Sequence, residues 1–270
     1  MKPQQSDFKT SDDINIHYMT LGETGSWVVL IHGYTGNAYG NWFANGIAEA
    51  LATHHRIVAL DCRNHGKSDK PERGGPGEHR DAMELMDHLG IERAHIHGYS
   101  MGGMLTGRIL AEAPERCVTA SFGGSGIRET DEAWQKQVPK DKEGVDPEEA
   151  TCSRNLRIAS AMDNGMSREE AEKRVDAAIE EARKNPQPRA MPRIRPLEID
   201  LAKVDVPLMA INGEFDSPYA KTFRLWREAR DFTNVILPGK SHLTAIAPGY
   251  MPKEYTESLV RFIDSHEAAD

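Results

Sequence analysis

Cysteine is scarce: Cys62, Cys117 and Cys152 are three in 270 residues, widely spaced and without a C-x-x-C. They offer neither a disulfide framework nor a zinc site. Basic residues are also short, with 33 Lys and Arg against 42 Asp and Glu and a formal net charge of −9. Nucleic acid is therefore not an expected partner, because its phosphates need a Lys/Arg surplus on at least one face. No apolar run approaches the ~18 residues that cross a bilayer, and Met1 to Asp13 is polar where a signal peptide needs an apolar centre. No membrane association and a cytoplasmic location are expected. Aromatics make up only 7%, against 39% hydrophobic and 28% charged residues, the balance of an ordinary water-soluble chain with one large α/β core. His54 and His55 are adjacent, and His95 and His97 alternate with no acid near in sequence, so no metal is expected, nor another cofactor. No internal repeat is present, and nothing in the pattern sets an oligomeric state.

What is present centres on Ala94 to Pro114, AHIHGYSMGGMLTGRILAEAP. Ala94 to His97 has the short form of a buried strand, and Met101, Leu105 and Ile109 recur at helical spacing until Pro114 forbids another turn. Ser100 stands at the change of period, flanked by Gly98 and Gly102. A G-x-S-x-G between strand and helix is a nucleophile elbow, in which a Cβ at either glycine would collide across the turn. The amide of Met101, at the helix N-terminus, would point toward whatever the hydroxyl attacks. Ser125, in Gly-Gly-Ser-Gly, is a rival that lacks the second flanking glycine, because position 127 is Ile.

Elsewhere, strands and helices alternate. Ile14, Ile16 and Tyr18 read as a half-exposed strand entering from the edge; Trp27 to Ile31 and Pro207 to Ile211 read as buried strands of a parallel sheet, Arg56 to Leu60 as a short apolar run between them, and Val118 to Phe122 and Val235 to Leu237 as further strand-like runs. Helices are expected over Asn41 to Thr53, around Ala82 to Leu89, over Tyr219 to Ala229 with Phe223 and Trp226 on one face, and around Tyr255 to Ile263. Gly74, Gly75, Pro76 and Gly77 read as a link. The pattern predicts an α/β fold, a mostly parallel doubly wound sheet. From Arg128 to about Leu197 charges dominate and helix-favouring stretches replace strands. That predicts a core of 1–127 and 198–270 interrupted by a helical insertion, 128–197. Ser167 to Glu170 has capping-box form and opens a helix through Lys184, after which Pro186, Pro188, Pro192 and Pro196 exclude regular structure.

A serine hydroxyl needs a base, and the base needs an acid to hold its tautomer. Asp216 and His242 each follow a predicted strand, where open parallel sheets gather their sites. The order Ser100, Asp216, His242 is the one an α/β triad requires.

The chain thereby resembles the α/β-hydrolase fold superfamily, and is similar to its small serine carboxylesterases with a helical lid. His32 and Gly33 after a buried strand resemble the family's oxyanion loop, which implies that the amide of Tyr34 joins that of Met101 in an oxyanion hole. Asp61, Arg63, Gly66 and Ser68 resemble the family's Asp-x-Arg-Gly-x-Gly-x-Ser turn, with Asn64 in place of its first glycine, and Gly213 with Asp216 resembles its acid loop. The 128–197 insertion resembles the lid. Tyr99 replaces a His found in many relatives and is expected to alter the pocket wall.

The resemblance implies hydrolysis of a small-molecule carboxylic ester through an acyl-enzyme, with activity falling on the acid side as the base takes up a proton. The polar lid argues for short to medium acyl chains and against a lipase. Cleavage of a carbon–carbon bond in a diketone or dienoate is the rival reaction, for which Arg189, Arg193 and Arg195 could supply donors. A ligand-sensing receptor that keeps the triad is the rival of another class.

Overall fold

A computed structural model describes residues 2–72, 78–163, 165–185 and 197–267. Eight strands, β1 (Gln4–Lys9), β2 (Asn15–Leu21), β3 (Trp27–Ile31), β4 (Arg56–Leu60), β5 (Ala94–Tyr99), β6 (Cys117–Gly123), β7 (Leu208–Gly213) and β8 (Phe232–Leu237), form one sheet. Their order is β1-β2-β4-β3-β5-β6-β7-β8; β1 with β2 and β2 with β4 pair antiparallel, and every later pairing is parallel. The β-period divides the strand side chains between two cores: Val29 and Ile31 of β3 enter one, Val28 and Leu30 the other.

Helices cover both faces. On the first lie α2 (His79–His88), α3 (Met101–Glu112) and α7 (Pro218–Glu228), through Leu85 and Met86, Leu105 and Ile109, and Leu225. On the second lie α1 (Ile47–Leu51) and α8 (Lys253–Asp264), through Ile47 and Leu51 and through Tyr255, Leu259, Phe262 and Ile263. Burial on both faces explains the continuous apolar runs of the central strands.

Two expectations are corrected and a third is refined. The Ile14 to Tyr18 run, in β2, is not at an edge: it lies between β1 and β4 and is buried along most of its length, whereas the edges are β1, of which only Phe8 is buried, and β8. Backbone pairing to β2 holds β1 in place, so its side chains carry no apolar pattern to announce it. The helix expected over Asn41 to Thr53 is broken into a π-turn at Tyr39–Phe43 and α1. Gly46 lies between them at φ 82°, and Asn45 donates to the carbonyls of Asn41 and Ile246. On α7, Phe223 and Trp226 do share a face and stack, but Trp226 is 72% exposed, and Thr222 and Leu225 are the residues that enter the core.

Between β6 and β7 lie α4 (Glu132–Gln135), α5 (Glu149–Asp163) and α6 (Arg168–Lys184). The capping box forms: Ser167 Oγ accepts from the Glu170 amide, and the Glu170 carboxylate accepts from the Ser167 amide. Ile158, Ala171 and Val175 make a small core of their own, with Ala161, Met166 and Ile179 against it. Pro186, Pro188, Pro192 and Pro196, Arg189, Arg193 and Arg195, and the Gly74 to Gly77 link lie outside the described residues. No helix among the described residues is long and apolar enough to cross a membrane.

Three interior histidines make the fold acid-sensitive. Burial pushes His32 down to about 4, and His95 and His97 down to about 3. The unfolded chain binds protons at these positions below about pH 6.5, whereas the folded chain refuses them until far lower pH. Stability is therefore fully present above pH 6.5 and falls as pH drops, by about 4 kcal/mol per pH unit for three groups, as an upper bound. Urea midpoints at pH 7 and pH 5 should differ sharply. Equal midpoints would show that these histidines are not neutral in the folded chain.

Candidate active site

Ser100 joins β5 to α3 at φ 52°, ψ −107°, a conformation that L-residues rarely adopt and that costs about 1–3 kcal/mol. The neighbouring glycines make it attainable. A Cβ on Gly98 would sit 2.1 Å from the Gly102 carbonyl oxygen, and one on Gly102 would sit 1.9 Å from that of Ile31. At Gly33 a Cβ would meet Tyr99 O at 3.4 Å and Ser100 Cβ at 3.5 Å, which places the start of the loop after β3 against the elbow without a clash.

Loops far apart in the chain meet at Ser100. His242 Nε2 lies 2.9 Å from Ser100 Oγ, and His242 Nδ1 lies 2.8 Å from Asp216 Oδ2. Asp216 follows β7 and His242 follows β8, so both reach the serine from strand C-terminal ends. Among the described residues the amides of Tyr34 and Met101 have no acceptor. Tyr34 is 60% exposed, whereas Met101 is buried at the N-terminus of α3, where the helix dipole favours negative charge. One of these amides directly follows the serine and the other follows Gly33, which packs against the elbow; amides so aimed can stabilise an anion developing on a bound carbonyl. The rival Ser125 is buried; its carbonyl accepts from Asn212, and a Cβ on Gly103 would meet it at 2.5 Å.

The motifs around the elbow prove to be bracing. His32 Nδ1 donates to the Gly33 carbonyl at 2.7 Å, and its Nε2 accepts from the Cys62 amide at 2.9 Å, a pair that requires the neutral ring. Asn41 Oδ1 accepts from the Gly33 amide. Asp61 accepts from the amides of Ala38 and Lys67, and Ser68 Oγ donates to the Asp61 carbonyl. Arg63 pairs with Asp81 and Asp12. Asn64 adopts φ 69°, the conformation that lets Asn stand in for glycine.

Two contacts have no counterpart in the sequence pattern. Lys221 of α7, 8% exposed, forms an ion pair with Asp216 Oδ1, leaving Oδ2 to His242. Burial lowers its ammonium pKa, and Asp216 pulls it back. The two are five positions apart in sequence, so no i, i+4 rule would have coupled them. Tyr99 was expected in the pocket wall; it is 3% exposed, and its hydroxyl donates to the His242 carbonyl at 2.6 Å. It holds the loop that carries His242.

A family model for the alpha/beta hydrolase fold matches residues 26–218. The chain belongs to this family. Among curated relatives, a dihydrolipoyllysine-residue acetyltransferase component of the acetoin cleaving system from Pseudomonas putida is 40% identical over 103 residues, 37% of this chain and 27% of that protein. A 2-hydroxy-6-oxo-6-phenylhexa-2,4-dienoate hydrolase from Comamonas testosteroni is 37% identical over 123 residues, 44% of this chain and 42% of that protein. The chain thus spans less than half the length of these relatives. Among solved structures, a meta-cleavage product hydrolase from Pseudomonas fluorescens superposes with TM-score 0.64 at 22% identity, covering 93% of this chain and 95% of that one. At that identity the likeness is one of fold.

Proposed function

We propose that this protein is a serine hydrolase that cleaves small carboxylic esters through an acyl-enzyme. The observation that carries the reading is the Ser100–His242–Asp216 chain of hydrogen bonds. Ser100 Oγ attacks the ester carbonyl carbon while His242 Nε2 takes the hydroxyl proton and Asp216 holds Nδ1–H. The carbonyl oxygen becomes an oxyanion held by the Tyr34 and Met101 amides. Collapse expels the alcohol, protonated by His242. Water, deprotonated by the same imidazole, then releases the acid.

The chain from Arg128 to Leu197 acts as a lid in this reading, and its composition bears on acyl length. Ile158, Ala171 and Val175 are committed to the insertion's own core, leaving little apolar wall for a long chain among the described residues of the insertion. Each further CH₂ contributes about 0.8 kcal/mol only where such a wall receives it. On a panel of p-nitrophenyl esters, kcat/KM is expected to be highest for acetyl to butyryl and to fall for dodecanoyl and longer. A steady rise with chain length would overturn the short-chain assignment.

A second reading, cleavage of a carbon–carbon bond in a dienoate, is favoured by the likeness to the Comamonas testosteroni hydrolase over 44% of the chain. The same triad would serve it. Turnover of a 2-hydroxy-6-oxo-dienoate, followed by loss of its visible absorbance, with no turnover of any ester in the panel, would replace the first reading by the second.

A further inference from the structure

We propose that residues 141–148, at the start of the insertion, are a fixed clamp across the loops that carry Asp216 and His242, and that Asp146 is a positioning residue for His242. The inference rests on the Ser100–His242–Asp216 reading and extends it to a segment that the lid comparison would treat as a moving part.

The segment is fastened on both sides. Toward the acid loop, Asp141 Oδ1 accepts from the Tyr219 amide at 2.7 Å, and Lys142 Nζ pairs with Glu214 at 2.8 Å. Lys142 also stands over the Phe215 ring, and Gly144 packs so close to that ring that a Cβ would lie 2.6 Å from it. Toward the base loop, Glu148 pairs with Lys240 at 2.9 Å. Between these lies Asp146, 4% exposed. Its Oδ2 accepts from the Ser241 amide at 3.1 Å and from Thr244 Oγ1, and its Oδ1 accepts from the Glu148 amide at 2.9 Å.

Ser241 and Thr244 bracket His242, and the Ser241 amide also donates to Thr244 Oγ1 at 3.0 Å. One carboxylate therefore ties together the residue before His242 and the residue two after it. Burial alone would raise the Asp146 pKa; the bonds from Thr244, Glu148 and Ser241 hold it below the ordinary value, so the group serves as an anion. Tyr99 grips the same loop from the opposite chain segment, through the His242 carbonyl. Asp146 is buried and accepts three hydrogen bonds, whereas the Arg154–Asp176 pair that joins α5 to α6 is exposed to solvent. Opening of the insertion, where it occurs, must then bypass 141–148.

The test uses the full chain and two readouts: the second-order rate of Ser100 labelling by a fluorophosphonate, which needs no knowledge of the substrate, and the split of kcat from KM on p-nitrophenyl acetate. Asp146→Ala is expected to slow labelling and kcat together by about 10²-fold, the scale of a misplacement near 1 Å, with KM little changed. Asp146→Asn keeps an acceptor oxygen for Ser241 and Thr244 and should recover most of the rate. Asp176→Ala, which loosens the insertion elsewhere, should label as the wild type does. The clamp is overturned if Asp146→Ala labels at the wild-type rate, if its loss only tracks the unfolded fraction measured by circular dichroism, or if Asp146→Asn is as slow as Ala. Wild-type protein that labels at Ser100 but hydrolyses no ester would remove the ester assignment, and the labelling rates would still judge the clamp. Wild-type protein that does not label removes the triad reading and the clamp with it.

Discussion

Ser100→Ala is expected to lower kcat on p-nitrophenyl acetate by on the order of 10⁴ to 10⁶, while the melting temperature stays within a few degrees of wild type. The substitution deletes one oxygen and keeps the Cβ that the elbow already accommodates at φ 52°. Alanine meets the same backbone strain as serine, so the fold has no new cost to meet. What disappears is the atom 2.9 Å from His242 Nε2, and the rival Ser125 is not free to replace it, being buried with its own packing against Gly103. Residual turnover from the Tyr34 and Met101 amides would set the floor. Near wild-type activity would mean that the nucleophile lies elsewhere.

Asp216→Asn should have the second-largest effect, and here Lys221 changes what must be measured. Losing the carboxylate spoils the His242 tautomer, a loss of roughly 10³ to 10⁴ in kcat in triads of this kind. It also strips a buried ammonium of its counter-charge, which commonly costs 3–5 kcal/mol, or about that for a pair whose side chains are each 11% exposed. The single variant should therefore be both slow and unstable. Asp216→Asn combined with Lys221→Met removes the stranded cation, and the double variant is expected to regain most of the lost melting temperature while remaining as slow as the single. Recovery of rate along with stability would show that Asp216 acts only through the ion pair, and its role as the triad acid would be withdrawn.

Much of this site was legible because its signals are local. Gly98, Ser100 and Gly102 are needed within five residues for steric reasons, and the switch from strand to helix at Ser100 can be read from side-chain period alone. Asp216 and His242 follow from a weaker rule, the position just past a strand, which works because parallel strands deliver their C-terminal ends to one edge. The capping box at Ser167 is likewise written in four consecutive residues. Where the chain is held by backbone pairing, as in β1, or where a glycine interrupts an apolar pattern, as at Gly46, periodicity has nothing to report or reports too much.

The contacts that sequence reading missed share one property: their partners are chosen by packing across the chain. Tyr99 meets the His242 carbonyl, and Asp146 meets Ser241 and Thr244, over separations of 143 and about 95 residues. Lys221 is closer in sequence to Asp216, but only the seating of α7 beside the acid loop turns a lysine on a half-exposed helix into a buried ion pair. By itself the sequence determined the α/β alternation, the elbow and the order of the three candidate catalytic groups, because short-range sterics and hydrophobic period are intrinsic to the chain. The tertiary structure alone decided which polar groups are buried together, because desolvation and hydrogen-bond geometry exist only once the strands and helices have packed.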